Sequence, residues 1–247
     1  MRIKSQKLKF FLLPLLLLGL LSMSNVGKEK LIGDGEESHS RTLDLKPFHS
    51  IDLSIDAEVI LKKGNLQKVE IVAEPKIIDQ IQTQVRNGVW DISFPRRSRI
   101  RFHKPITIYI TVKELKAAGI GSSGSIIAKE SISNPNQLNL SIAGSGDIIF
   151  ENQQVKALRA SIAGSGNINV EGQTDRLKLS IAGSGKFKAY DLKAKMASIS
   201  IAGSGRSEVF VEDDLDVRVA GSGDVYYQGE PRVSISSAGS GKVRKAN

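Results

Sequence analysis

The string Ile-Ala-Gly-Ser-Gly begins at Ile142, Ile162, Ile181 and Ile201, and Val219 opens a Val-Ala-Gly-Ser-Gly copy. Ser237 opens a Ser-Ala-Gly-Ser-Gly copy, and Ile120 a degenerate Ile-Gly-Ser-Ser-Gly copy. These starting points lie 22, 20, 19, 20, 18 and 18 residues apart, so a unit of near-constant length recurs seven times. A unit this short cannot bury an apolar face alone. Stacked on its neighbours it can, and this restricts the chain to a solenoid.

The columns of the repeat name the kind of solenoid. Two residues before each start stand Leu140, Ala160, Leu179, Ile199, Val217 and Ile235, and four before stand Leu138, Leu158, Leu177, Ala197, Leu215 and Val233. The intervening column is Ser141, Ser161, Ser180, Ser200, Arg218 and Ser236. Such period-two alternation marks strands with one buried face. Some 20 residues leave no room for a crossover helix, so each repeat is one coil of short strands joined by bends. The chirality of parallel connections then predicts an all-β, right-handed parallel β-helix. Glycine removes the Cβ where the chain bends, and continued alternation places both glycines of Gly-Ser-Gly inward and the serines outward.

Residues 43–115 lack the repeat but are β-rich, with strand-like runs at Ile51–Leu61, Val69–Ala73 and Ile106–Val112. Ile77, Ile78 and Ile81 follow Pro75 at the spacing of one short helix. Asn87-Gly88 between two β runs predicts a type I′ hairpin. This section reads as an N-terminal lobe that caps or begins the β-helix of residues 116–247. Residues 25–42 read as a flexible leader.

Residues 1–24 read as a signal peptide. Arg2, Lys4, Lys7 and Lys9 form a basic start, Phe10–Leu21 an apolar run, and Ser22 and Ser24 the small residues a signal peptidase reads. The apolar run is shorter than the ~20 residues of a spanning helix, so cleavage is favoured over retention as an anchor. The expectation is an exported chain, in the periplasm, on the outer-membrane surface or secreted, with no membrane span after signal removal. Without cysteine the chain has no disulfide framework and no thiolate ligands. Removing the four cations of the signal reduces 35 basic residues to 31, against 26 acidic ones, a net charge of +5. That mild excess on an exported chain argues against a nucleic-acid partner.

The chain resembles the putative auto-transporter adhesin, head GIN domain family of bacterial exported proteins. The resemblance covers about residues 43–243 and rests on Phe48-His49-Ser50-Ile51 before an alternating strand, on Glu74 through Ile92, and on the Gly-Ser-Gly-Asp-Ile style repeats. It implies a two-part β-helix with no assigned catalytic residues. No segment reads as the C-terminal membrane barrel of a self-exporting auto-transporter.

Several motifs suggest chemistry and lose to a structural explanation. Gly119-Ile120-Gly121-Ser122-Ser123-Gly124 matches a dinucleotide fingerprint, but a strand-like Ser125-Ile126-Ile127-Ala128 follows where a helix must hold the pyrophosphate. Gly185-Lys186 and Gly241-Lys242 lack the spacing of a phosphate loop. The column Asp147, Asn167, Lys186, Arg206, Asp224 and Lys242 carries too many cations for stacked calcium sites. His39, His49 and His103 all precede the repeats, far apart in sequence. No metal and no cofactor is therefore expected.

Two sets of residues remain. Glu151 and Glu171 fall on one column of adjacent coils, at a spacing that suits a retaining glycosidase, yet they point outward, where exposed charge is ordinary. Arg96, Arg97, Arg99, Arg101 and Lys104 form a basic stretch around Ile100 and Phe102. Its functional reading is contact with an anionic surface, and its structural reading an edge whose charge deters association. The expectation overall is a non-enzymatic exported or cell-surface interaction protein, adhesin-head-like, presenting a rigid solenoid face to an envelope or host polysaccharide or a surface protein. The alternative is a periplasmic β-helix that binds or processes envelope polysaccharide.

Overall fold

The computed structural model describes residues 35, 37–96 and 100–246; the signal segment lies outside them. In chain order the elements are β1 (His39–Leu43), β2 (Ser50–Leu53), β3 (Glu58–Lys63), β4 (Lys68–Ala73), α1 (Pro75–Ile78), β5 (Val85–Arg86), β6 (Val89–Ile92) and β7 (Thr107–Val112). The repeats supply β8 (Ala117–Ile120), β9 (Ser125–Ala128), β10 (Gln137–Ile142), β11 (Asp147–Gly164), β12 (Asn167–Gly183), β13 (Lys186–Gly203), β14 (Arg206–Gly221), β15 (Asp224–Gln228), β16 (Arg232–Gly239) and β17 (Val243–Lys245).

The chain is a β-solenoid. On one face the strands stack in parallel as β6, β2, β8, β10, β11, β12, β13, β14 and β16. On a second face β7, β3, β9, β11, β12, β13, β14, β15 and β17 do the same. The register places Ile142, Ile162, Ile181, Ile201 and Val219 on one another, with the exposed Ser141, Ser161, Ser180, Ser200 and Arg218 beside them. Period two in sequence thus becomes an inside and an outside, and identical residues meet because the coils are nearly equal in length.

The N-terminal section belongs to the same stack, in an order the sequence conceals. The coil made by β2 and β3 is clasped between the later β6–β7 coil and the first repeat, β8–β9. β4 closes the second face by pairing antiparallel with β7, and β1 pairs antiparallel with β4. The first four residues of β1 (His39–Leu43) thus lie in a strand within the segment 25–42 that the sequence suggested as leader. Trp90 is fully buried, its indole N–H donating to the Gln82 carbonyl at 2.9 Å, and Ile77, Ile78 and Ile81 are buried in the same continuous core. The hairpin forms as expected, with Asn87 at φ 51° and Gly88 at φ 72°. The helix is only four residues long.

The two glycine columns differ. Gly146, Gly166, Gly185, Gly205 and Gly223 are buried, whereas Gly144, Gly164, Gly183, Gly203 and Gly221 are half-exposed. The inward expectation therefore holds fully only for the second column. The first column is fixed by the bend: Gly164, Gly183, Gly203 and Gly221 lie at φ 121–134°, where L side chains are strained.

Candidate interaction surface

A third face arises where β11, β12 and β13 turn a corner without losing their parallel partners. The register shifts between Phe150 and Gln153, between Asn169 and Gly172, and between Ala189 and Lys193 mark that corner. Such bulges let one continuous strand change direction. Beyond them alternation resumes: Val155, Thr174, Ala194 and Val211 face the core. Gln154, Gln173 and Lys193 stack outward in register on one side of this column. On its other side Lys156, Asp175 and Lys195 stand on successive coils, each fixed by paired neighbours, with Glu212 beyond.

These two rows line an open groove of about 480 Å³ that also touches Pro135. One wall offers amides and an amine, the other ammonium and carboxylate groups in alternation. Lys195 and Asp175 are 2.8 Å apart. That hydrogen bond and its charge hold the Asp175 carboxyl below its usual range, with Arg176 and Lys156 adding to the effect. The same partner raises Lys195, aided by Asp213 and Glu212. The groove can therefore present fixed donors and acceptors at the coil spacing of about 4.8 Å to an extended ligand.

The residues singled out from sequence fall elsewhere. Glu151 and Glu171 stand on adjacent coils as expected, both half-buried at the corner, and neither lines the groove. Arg97 and Arg99 lie outside the described residues. Arg96 is an exposed turn residue beside the hollow that contains Asp91, whereas Lys104 lines a different hollow with Asp56, Glu58 and Asp147. Arg101 is exposed, and Ile100 and Phe102 are partly buried against the core. Among the described members of the stretch, Arg96 and Lys104 thus serve different hollows. No group of three or more His, Cys, Asp or Glu capable of holding a metal occurs among the described residues. No described helix is long and apolar enough to cross a membrane.

Two buried polar side chains escaped the sequence reading. Glu74, whose side chain is fully buried, accepts the backbone N–H groups of His103 at 2.6 Å, Lys104 at 3.1 Å and Gly35 at 3.0 Å. Burial pushes its carboxyl up, but the N–H groups of His103, Gly35 and Lys104 together prevail and hold it below the ordinary value of 4.5. It fastens the basic stretch and the start of the described chain to one point. Gln153, also fully buried, accepts from the N–H groups of Ile132 and Ser133 and donates to the carbonyls of Glu130 and Glu151. The sequence carries no signal for it: alternation from Ile148 and Phe150 puts Gln153 on the outward phase, and only the bulge turns it inward, above Gly172 and Leu192 in the stack.

The profile of the putative auto-transporter adhesin, head GIN domain family matches residues 47–231. The chain belongs to this family. A solved structure described as a putative lipid binding protein from Parabacteroides distasonis shares 26% identity and a TM-score of 0.73, covering 89% of this chain and 100% of that one. A putative adhesin from Bacteroides fragilis shares 21% identity and a TM-score of 0.78, covering 87% and 100%. A putative adhesin from Parabacteroides merdae, at 19% identity and a TM-score of 0.68, covers 88% and 99%. No curated protein matches.

Proposed function

We propose that this member of the head GIN domain family is a non-enzymatic, exported interaction protein that binds an extended acidic polysaccharide along its third face. The observation that carries the reading is the pair of in-register rows, Gln154–Gln173–Lys193 and Lys156–Asp175–Lys195, flanking an open groove across successive coils. A polymer with regularly spaced carboxylates and hydroxyls would meet ammonium donors on both walls and carboxylate acceptors on one. Rigid, repetitive presentation suits an extended partner, because little of the protein must be ordered on binding. Export is supported by the basic and apolar pattern of residues 2–24 and by the family assignment.

The lipid-binding description of the Parabacteroides relative fits this groove less well. Its lining is largely amide and charged groups, and the coil interior is filled by columns such as Ile148, Ile168 and Phe187. The test is titration of the protein with polygalacturonate and with neutral dextran, followed by light scattering and calorimetry. Saturable, salt-sensitive binding of the acidic polymer, lost in Lys193→Ala/Lys195→Ala, is the expected result. Binding unchanged in that variant, or equal binding of dextran, refutes the groove. Release of new reducing ends from either polymer refutes the non-enzymatic reading.

A further inference from the structure

Among the described residues, the solenoid is covered at its N-terminal end and carries an uncovered last coil at the other. At the N-terminal end β1, β4 and α1 cover the stack with antiparallel strands and buried isoleucines. At the C-terminal end, among the described residues, β16 pairs with β14 alone and β17 with β15 alone, so each strand keeps one edge of N–H and C=O groups to which no described strand is paired. All eight residues of β16 are exposed. Val233 is 37% and Ile235 52% exposed, whereas their column mates Leu138, Leu158, Leu177, Ala197 and Leu215, and Leu140, Ala160, Leu179, Ile199 and Val217, are 5% exposed or less.

Edges of this kind are commonly guarded by charge, proline or a covering element. None of the described elements covers β16. β16 reads Arg-Val-Ser-Ile-Ser-Ser-Ala-Gly, and its single cation is bound sideways by Asp214, through two contacts of 2.9 Å. The rest of the end carries Lys242, Arg244 and Lys245, of which Lys245 pairs with Glu230, so Lys242 and Arg244 leave the uncovered surface with a cationic excess. The coil beneath shows what such a surface accepts. It is the acidic stretch Glu212-Asp213-Asp214-Leu215-Asp216, which sets Asp214 against Arg232, Leu215 against Val233 and Val217 against Ile235. Asp224 of that coil accepts the Lys242 N–H at 3.0 Å.

We propose that this open coil is a docking edge for an extended acidic β-strand of a partner protein, which adds to β16 in parallel and continues the solenoid by one rung. The strand would carry apolar residues at alternate positions, over Val233 and Ile235, and carboxylates facing Arg232 and the cations of the β17 side. Backbone pairing supplies affinity, and the alternation and charge supply selection. The site is separate from the third-face groove, so either can fail without the other.

The test uses a fluorescently labelled synthetic peptide with the sequence of residues 211–221, which already occupies the lower edge of β16 in the wanted register. The expected results are saturable binding by anisotropy, slowed amide exchange confined to β16 and β17, and no binding of a scrambled peptide. Ile235→Lys and Val233→Lys are both expected to weaken binding by about tenfold or more, by placing a charge on the edge. Because these side chains are already exposed, both variants retain the wild-type thermal transition, and Lys193→Ala retains peptide binding. Absence of saturable binding overturns the proposal, as does binding indifferent to Ile235→Lys. Self-association of the wild type that Ile235→Lys abolishes also overturns it, since the edge then belongs to a second copy.

Discussion

Replacing Gly203 by alanine tests the reason for the glycine columns. Gly203 lies at φ +123°, and an added Cβ would stand 2.6 Å from the carbonyl oxygen of Gly183 and 3.2 Å from its nitrogen. An L residue held there carries strain of about 1–3 kcal/mol. Relief by separating the coils stretches the bond from the Ser204 N–H to that same carbonyl oxygen, now 2.9 Å, at a further cost of about 1 kcal/mol. The expected destabilisation is about 2–4 kcal/mol in sum. With a slope of about 2–3 kcal/mol/M in urea, the unfolding midpoint falls by about 1 M. The measurement is equilibrium unfolding by circular dichroism, with Gly121→Ala as control. Gly121 has no positive φ, and its added Cβ meets nothing closer than the Leu53 carbonyl oxygen at 4.0 Å. That variant is neutral or gains about 0.4–1 kcal/mol through the unfolded state. If Gly203→Ala lies within about 0.5 kcal/mol of wild type, the steric account of the column is wrong.

Two further substitutions probe the buried polar clips. The Glu74 carboxyl is held below its ordinary value of 4.5, so its contribution to stability is complete above that value and is lost as the pH falls through the lower folded value. Glu74→Gln lowers the thermal midpoint at neutral pH and flattens its decline in acid; an unchanged acid profile refutes this role. Gln153→Leu leaves the N–H groups of Ile132 and Ser133 and the carbonyls of Glu130 and Glu151 without their amide. A loss of about 2–4 kcal/mol is expected, with faster proteolysis and amide exchange across residues 129–136; unchanged exchange at Ile132 and Ser133 removes the clip from the account.

The repeat columns and their inside and outside were legible in the chain because both follow from local periodicity. Ile142, Ile162, Ile181 and Ile201 had to meet once the coils were nearly equal in length. The Asn87-Gly88 turn was legible because left-handed backbone has a narrow residue preference. The candidate surface was legible only in part. Gln154 and Gln173 share a residue type but Lys193 does not, and the three stand 12, 11 and 12 residues after their repeat starts at Ile142, Ile162 and Ile181, so only the bulged register makes them one row. Glu74 stands at the N-cap position of α1, before Pro75, yet its side chain makes no cap hydrogen bond and gathers three distant backbone groups instead, which no local pattern announces.

By itself the sequence determined a stacked β-solenoid, its inward columns and its family. Tertiary structure alone decided that the β2–β3 coil sits between β8–β9 and the later β6–β7 coil, since parallel strands of similar pattern can stack in more than one order. It also decided that Val233 and Ile235, with the same inward pattern as their column mates, remain exposed. Periodicity records which way a side chain points, but burial requires a neighbour on the other side, and at the last coil none of the described strands supplies one.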